Sequence, residues 1–220
     1  TIIGYFMDLK FIGCIGDIHN ESEKLEDTIK FLKKLNVEII LATGDIVDGF
    51  GDINKCCNLL KKNNVLCVMG NHERWFLKNE MRMLPNATMI EEITKENFEF
   101  LKDFPKIRAF KTKEGMLMLC HGVADNDMVK LLPNDIGYSL ESNFELQYLL
   151  HSKEYKFILG GHTHRKMLKK IDDLIIINPG TLKTETISTF ATIDFEKKEV
   201  QFYEITDNLE IKKDICEYFK

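Results

Sequence analysis

The chain lacks the basic excess that a duplex nucleic acid demands. Its 35 acidic residues outnumber 30 basic ones, for a net charge of -5, and the two signs are mixed along its 220 residues with no lysine or arginine stripe. Phosphate contacts dominate affinity for duplexes through counterion release, so extended nucleic-acid binding is disfavoured. No run approaches the ~18 apolar residues of a membrane span, and no basic segment followed by an apolar stretch opens the chain. The expectation is a cytoplasmic protein with no membrane partner. The six cysteines form no CxxC pair, which excludes a thiolate zinc or redox site of that kind. Cys14, Cys56, Cys57, Cys67, Cys120 and Cys216 lie mostly in apolar runs and read as reduced core residues. Repeats, low-complexity tracts and blocks of like charge are also missing. One domain over residues 7–220 is expected. Because Thr1 opens the chain and a plausible start stands at Met7, residues 1–6 are set aside from the fold as an added remnant or a read-through segment.

What is present is a βαβ grammar. The apolar runs FIGCIGD, EIILATGD and VLCVMGN end at Asp17, Asp45 and Asn71, with helical patterns between them from Ser22 to Leu35 and from Ile53 to Asn63. Leu25, Ile29, Leu32 and Leu35 share one helix face. Continuous apolar runs joined by helices indicate parallel strands covered on both sides. A helix is expected from Lys95 to Asp103, then the runs MLMLCHG and KFILGGH at His121 and His162, with a helix from Ser142 to Leu150. From Lys166 to Ile177 and from Phe190 to Ile205 the pattern predicts two hairpins, turning at Asp172-Asp173 and at Glu196 to Lys198. A terminal helix is predicted from Asn208 to Lys220, opened by Asp207 or Asn208 as its cap.

Five strand-like runs thus end in a potential metal ligand: Asp17 with His19, Asp45, Asn71 with His72, His121, and His162 with His164. In open α/β sheets such carboxyl ends converge, so groups far apart in sequence can meet. Any one of these histidines alone would read as a hydrogen-bonded loop residue; together they point to a site. In both DIH and HTH the donors are two apart, which in an extended backbone turns them to one side. A nitrogen and oxygen donor set without thiolate suits Mn, Fe or Zn above Mg or Ca and leaves the identity open; two divalent ions are expected, with Mn as the leading candidate and Fe, Zn or Ni as alternatives. Two adjacent cations need a shared anion, and Asp45 is the natural bridge.

The blocks GDIH, GDIVDG, GNHE, CHG and GGHTH, in that order over residues 16–164, resemble the calcineurin-like metallophosphoesterases. The NPGT segment at Asn178 to Thr181 looks like one that follows the last block in small members. The resemblance implies an α/β sandwich of two mixed β-sheets flanked by helices. It implies two divalent metal ions, one held by Asp17, His19 and His164, the other by Asn71, His121 and His162, with Asp45 bridging. His72 is then the general acid that protonates the leaving group. The implied reaction is hydrolysis of a phosphodiester or phosphomonoester in a small phosphorylated substrate, by a hydroxide bridging the ions and without a phosphoenzyme. Glu73 would orient the His72 ring or stand behind the ligands, and Asp48 would hydrogen-bond a ligand histidine and fix its tautomer, or both are ordinary loop and capping carboxylates.

Protein-phosphatase and symmetrical dinucleoside-polyphosphatase branches usually carry an arginine after the second block, where this chain has Gly49. The resemblance is therefore to the small, broad-specificity phosphodiesterase-like members. Arg74 is a substitute phosphate contact or, more simply, a surface arginine, and His151 is a helix-end residue outside the site. The polar segment from Ala124 to Tyr138 either overhangs the site or merely connects. Two other readings compete. A scaffold with a decayed metal site, like the retromer's phosphoesterase-like subunit, should have lost ligands, and none is missing here. A metal-dependent amidohydrolase would open with HxH and need about 250 residues.

Overall fold

The computed structural model describes residues 5–219. Its strands form two six-stranded mixed sheets. Sheet I is built on the parallel strands β2 (Phe11–Ile15), β3 (Ile39–Ala42) and β4 (Leu66–Cys67), extended antiparallel by β10 (Thr189–Asp194), β11 (Glu199–Ile205) and β12 (Ile211–Tyr218). In sheet II, β6 (Gly115–Leu119), β7 (Phe157–Leu159) and β9 (Leu174–Asn178) are parallel. The antiparallel β8 (Met167–Ile171) and β5 (Arg108–Thr112) flank them, and β1 (Tyr5–Leu9) pairs with β5 at the edge. The implied arrangement of two mixed sheets with flanking helices is therefore present.

The two-residue period of a strand shows why the apolar runs are continuous. Leu117, Leu119, Phe157, Leu159, Ile175 and Ile177 of sheet II meet Ile12, Cys14, Leu41, Ala191, Ile193 and Phe202 of sheet I in a core between the sheets. The intervening Met118, Ile158 and Ile176 turn outward to pack on Leu146 and Leu149 of a helix. Both faces of each run are thus covered, which removes the polar alternation of a half-exposed strand. Sheet I is covered by α1 (Ser22–Lys34), α2 (Ile53–Lys62) and α4 (Lys95–Lys102), and sheet II by α6 (Phe144–Ser152); α3 (Asn71–Leu77) and α5 (Tyr138–Glu141) are short. Side chains of Asp52, Thr94 and Asn143 accept amide hydrogen bonds at the starts of α2, α4 and α6, close to the expected boundaries.

Two expectations need correcting. The predicted terminal helix is instead strand β12. A turn closed by Thr206 N–H donating to the Glu210 carbonyl returns the chain along β11, and Phe219 enters the inter-sheet core beside Phe157. Burial of that aromatic and a ladder with β11, interrupted by a register shift between Gln201 and Tyr203, outweigh the capping signal at Asp207 and Asn208. Strand β1 also takes in Tyr5 and Phe6, which the sequence reading set aside; residues 1–4 lie outside the described residues. Among the described residues no helix is long and apolar enough to cross a membrane.

Candidate metal centre

Parallel strands end on the same side, so β2, β3 and β4 deliver Asp17, Asp45 and Asn71 to one edge of sheet I, while β6 and β7 deliver His121 and His162 from sheet II. Three groups of donor atoms, each within 4.8 Å of one another, form there: Asp17, Asp45 and His164; Asp45, His121 and His162; and His19, Asp45 and His72. Asp45 belongs to all three. Its Oδ2 lies 3.2 Å from His121 Nε2, 3.9 Å from His19 Nε2 and 4.0 Å from His72 Nε2. The amide oxygen of Asn71 stands 3.0 Å from His121 Nε2. The structure thus brings together Asp17, His19, Asp45, Asn71, His72, His121, His162 and His164, and leaves exposed His151 at the end of α6, facing the Gln147 carbonyl.

Hydrogen bonds fix which ring nitrogens can bind a cation. His19 Nδ1 faces the carbonyls of Val47 and Asp48 at 3.1 and 2.9 Å, and His121 Nδ1 faces the Thr43 carbonyl at 2.8 Å. Carbonyls only accept, so both Nδ1 atoms carry hydrogen, which leaves each Nε2 as the nitrogen that can turn to a cation. His19 Nε2 meets His164 Nε2 at 3.0 Å, and His164 Nε2 stands 3.2 Å from Asp17 Oδ2. Asp17 Oδ2 and His162 Nε2 are buried without a hydrogen-bond partner. Such a surplus of buried lone pairs is costly unless a cation satisfies it. The donors present therefore fit divalent metal.

The electrostatics agree. Burial, with the charge of Asp45, pushes the Asp17 carboxyl up to about 7 against the pull of His121. Burial also opposes charge on Asp45, but the charge and hydrogen bond of His121 hold it well below the usual carboxylate range. Burial would lower His121 too, yet Asp45 raises it to about 10, so without metal this ring takes the compensating proton. Burial and the neighbouring imidazoles lower His162 to about 4 and His164 to about 3, which leaves both rings neutral and ready to donate lone pairs.

The backbone around these groups is unusual. The sequence reading expects DIH and HTH to be extended, but His19, His162 and His164 have φ of 46°, 66° and 58°, as Asp45 and Asp48 have 49° and 67°. Left-handed non-glycine residues cost on the order of 1 kcal/mol each and gather where the surroundings impose them. Here the imposition is visible. Amides of Ile18 and His19 donate to the Asp45 carbonyl, and Gly161 N–H donates to the His121 carbonyl. The NPGT segment braces both sheets: Asn178 Nδ2 donates to the Gly161 carbonyl, and Thr181 Oγ1 to the Asp17 carbonyl, each at 2.7 Å.

Glu73 does not orient the His72 ring. Fully buried, it accepts from the amides of Asp45, Ile46, Val47 and Gly70 at 2.8, 2.5, 3.1 and 2.9 Å, tying the second ligand loop to the third. Asp48 is the group that holds His72, with Oδ2 at 2.7 Å from Nδ1. Burial opposes protonation of His72, but this bond and the charge of Asp45 raise its pKa. Asp48 is in turn clamped by Arg82, at 2.8 and 3.0 Å, and by the Thr88 amide at 2.8 Å. Sequence reasoning missed Arg82 and Thr88 because residues 78–94 carry neither a motif nor a clear period. Arg74, read as a surface residue, pairs with Asp127 at 2.6 and 3.0 Å and fastens α3 to the segment after His121. The missing arginine of the second block also has a steric reason, since a Cβ on Gly49 would stand 1.8 Å from the His19 carbonyl oxygen.

A family model for the calcineurin-like phosphoesterase superfamily domain matches residues 11–198. The chain is a calcineurin-like phosphoesterase. This phosphoesterase is 25% identical over 192 residues to a phosphodiesterase of Methanocaldococcus jannaschii, covering 86% of the chain and 95% of that protein. A hypothetical protein from Pyrococcus horikoshii OT3 shares its fold at a TM-score of 0.70 and 18% identity, over 96% of this chain and 89% of the other. Vacuolar Protein Sorting 29 from Cryptosporidium parvum does so at 0.56 and 18% identity, over 96% and 98%. The family is metal-dependent, and the His and Asp groups that meet here could hold a metal ion.

Proposed function

We propose that this calcineurin-like phosphoesterase is a cytoplasmic two-metal hydrolase that cleaves small phosphodiesters in preference to phosphomonoesters. One observation carries the reading: Asp45 belongs to all three donor groups, between the side chains delivered by the two sheets. Asp17, His19 and His164 would share it around one ion, and Asn71, His121 and His162 around the other. Manganese is the metal proposed, with Fe, Zn or Ni as alternatives that the nitrogen and oxygen donors also suit. Metal bound there supplies positive charge that lowers the pKa of water and screens the phosphoryl oxygens. The free thiols of the chain support the cytoplasmic placement.

The protein's own contribution is orientation and proton delivery. Asp48 fixes the Nδ1–H of His72, so Nε2 is the atom left to donate to a departing alkoxide. An alkoxide is a poor leaving group that such an acid assists in either ester class, and the preference for diesters rests on Gly49 in place of the second-block arginine and on the phosphodiesterase relative. Intact donors in every block argue against a scaffold with a decayed site. Elemental analysis of untreated protein should give two metal ions per chain. In Mn²⁺, bis-p-nitrophenyl phosphate should turn over faster than the p-nitrophenyl monoester; a large monoester preference would overturn the diesterase assignment.

A further inference from the structure

Resting on the hydrolase reading, we propose that Trp75 is the platform for a planar, nucleobase-bearing part of the substrate, so that nucleotide diesters are the preferred class. Helix α3 begins at Asn71 and carries His72. Trp75 lies four residues after the first and three after the second, and helical side chains lean toward the N-terminus, onto those positions. Its ring centroid is 4.9 Å from that of His72, at 60°. The Arg74 guanidinium lies over the indole ring, 5.8 Å from its centroid, and is held by Asp127, so a base would stack on the opposite face.

The indole is only half-buried, beside a centre whose other members are polar or charged. A large aromatic left partly in water at such a place offers a stacking face. Phe50 at 71%, Met128 at 44% and Ile187 at 71% exposure lie on three further loops that leave ligand-bearing ends or brace them. Charged Asp127, Lys183 and Glu185 stand in the same loops as Met128 and Ile187, so those loops carry no continuous apolar stretch of the kind an acyl chain needs. A base, with a π-face and polar edges, matches that mixture, and stacking tolerates any base.

Trp75 is the single tryptophan of the chain, so indole emission reports this position alone. AMP titrated into the Mn²⁺-loaded protein should quench it saturably, whereas ribose 5-phosphate, which differs only by the base, should leave it nearly unchanged. For turnover, Trp75→Ala should lower the ratio of kcat/KM for adenylyl-adenosine over glycerophosphoglycerol by about ten-fold, and Trp75→Phe should restore most of it. Equal responses to AMP and ribose 5-phosphate, stronger quenching by a lysoglycerophospholipid, or an unchanged ratio in the alanine variant would each overturn the platform. If bis-p-nitrophenyl phosphate is still hydrolysed in those cases, the dimetal reading stands without it; a wild-type protein inert toward that substrate with metal bound sinks both.

Discussion

The two sheets build unequal halves of the candidate metal centre. Sheet I provides both carboxylates, the Asn71 amide and the deeply buried His19, whereas sheet II provides three imidazoles, of which His162 and His164 are only half-buried. The bracing differs in the same sense. Four amides converge on the Glu73 carboxylate beneath the sheet I loops, while the sheet II loops rest on Asn178 and the Gly161–His121 peptide bond pair. A buried charge must be paired or it destabilises, and the half that carries both carboxylates is the half held by a dense set of hydrogen bonds. Neutral imidazoles can stand at the rim with less support.

The sharpest way to break that asymmetry is at the residue both halves share. Asp45→Asn should empty both metal positions and reduce turnover roughly a thousand-fold, beyond the 10- to 100-fold usual for outer partners, as read by elemental analysis beside the diester assay. Retention of one equivalent of metal would show that Asp45 is not a bridge. Next in size, His72→Ala should keep its metal yet lose roughly a hundred-fold or more in kcat, least for good leaving groups. Loss of metal in that variant would make His72 a ligand, a role that its place with His19 and Asp45 makes testable.

Comparing the braces directly sharpens the picture further. Glu73→Gln turns amide protons toward amide protons and should cost about 3 kcal/mol in chemical denaturation. Asn178→Ala, which removes hydrogen bonds from neutral groups only, should cost about 1 kcal/mol; equal costs would refute the asymmetry. The smallest effect on chemistry is expected at Arg82, which acts through Asp48. Arg82→Ala should lower kcat about ten-fold with KM little changed, most for alkyl diesters.

Much of this was legible before any coordinates. The candidate ligands announce themselves because they stand where β-rich runs end, and because imidazoles recur there and almost nowhere else: five of the six histidines do so. Asp48 and Glu73 were visible as carboxylates but not as to their partners, since neither a 2.7 Å bond to His72 nor four bonds to amides has a sequence period. Arg82 was invisible, an arginine in an irregular segment whose partner is 34 positions away. The last strand was misread because a capping signal is local, whereas the docking of Phe219 against Phe157 depends on a chain folded 62 residues earlier.

The amino-acid order by itself determined the donor atoms, the strands that carry them and the family to which they belong, because those follow from residue type and short-range period. Only the tertiary structure decided that the five runs divide between two sheets, that the ligand loops bend through left-handed backbone, and that Asp45 stands where three groups of donors overlap. These are outcomes of packing one apolar face against another, and no local stretch of sequence contains both faces.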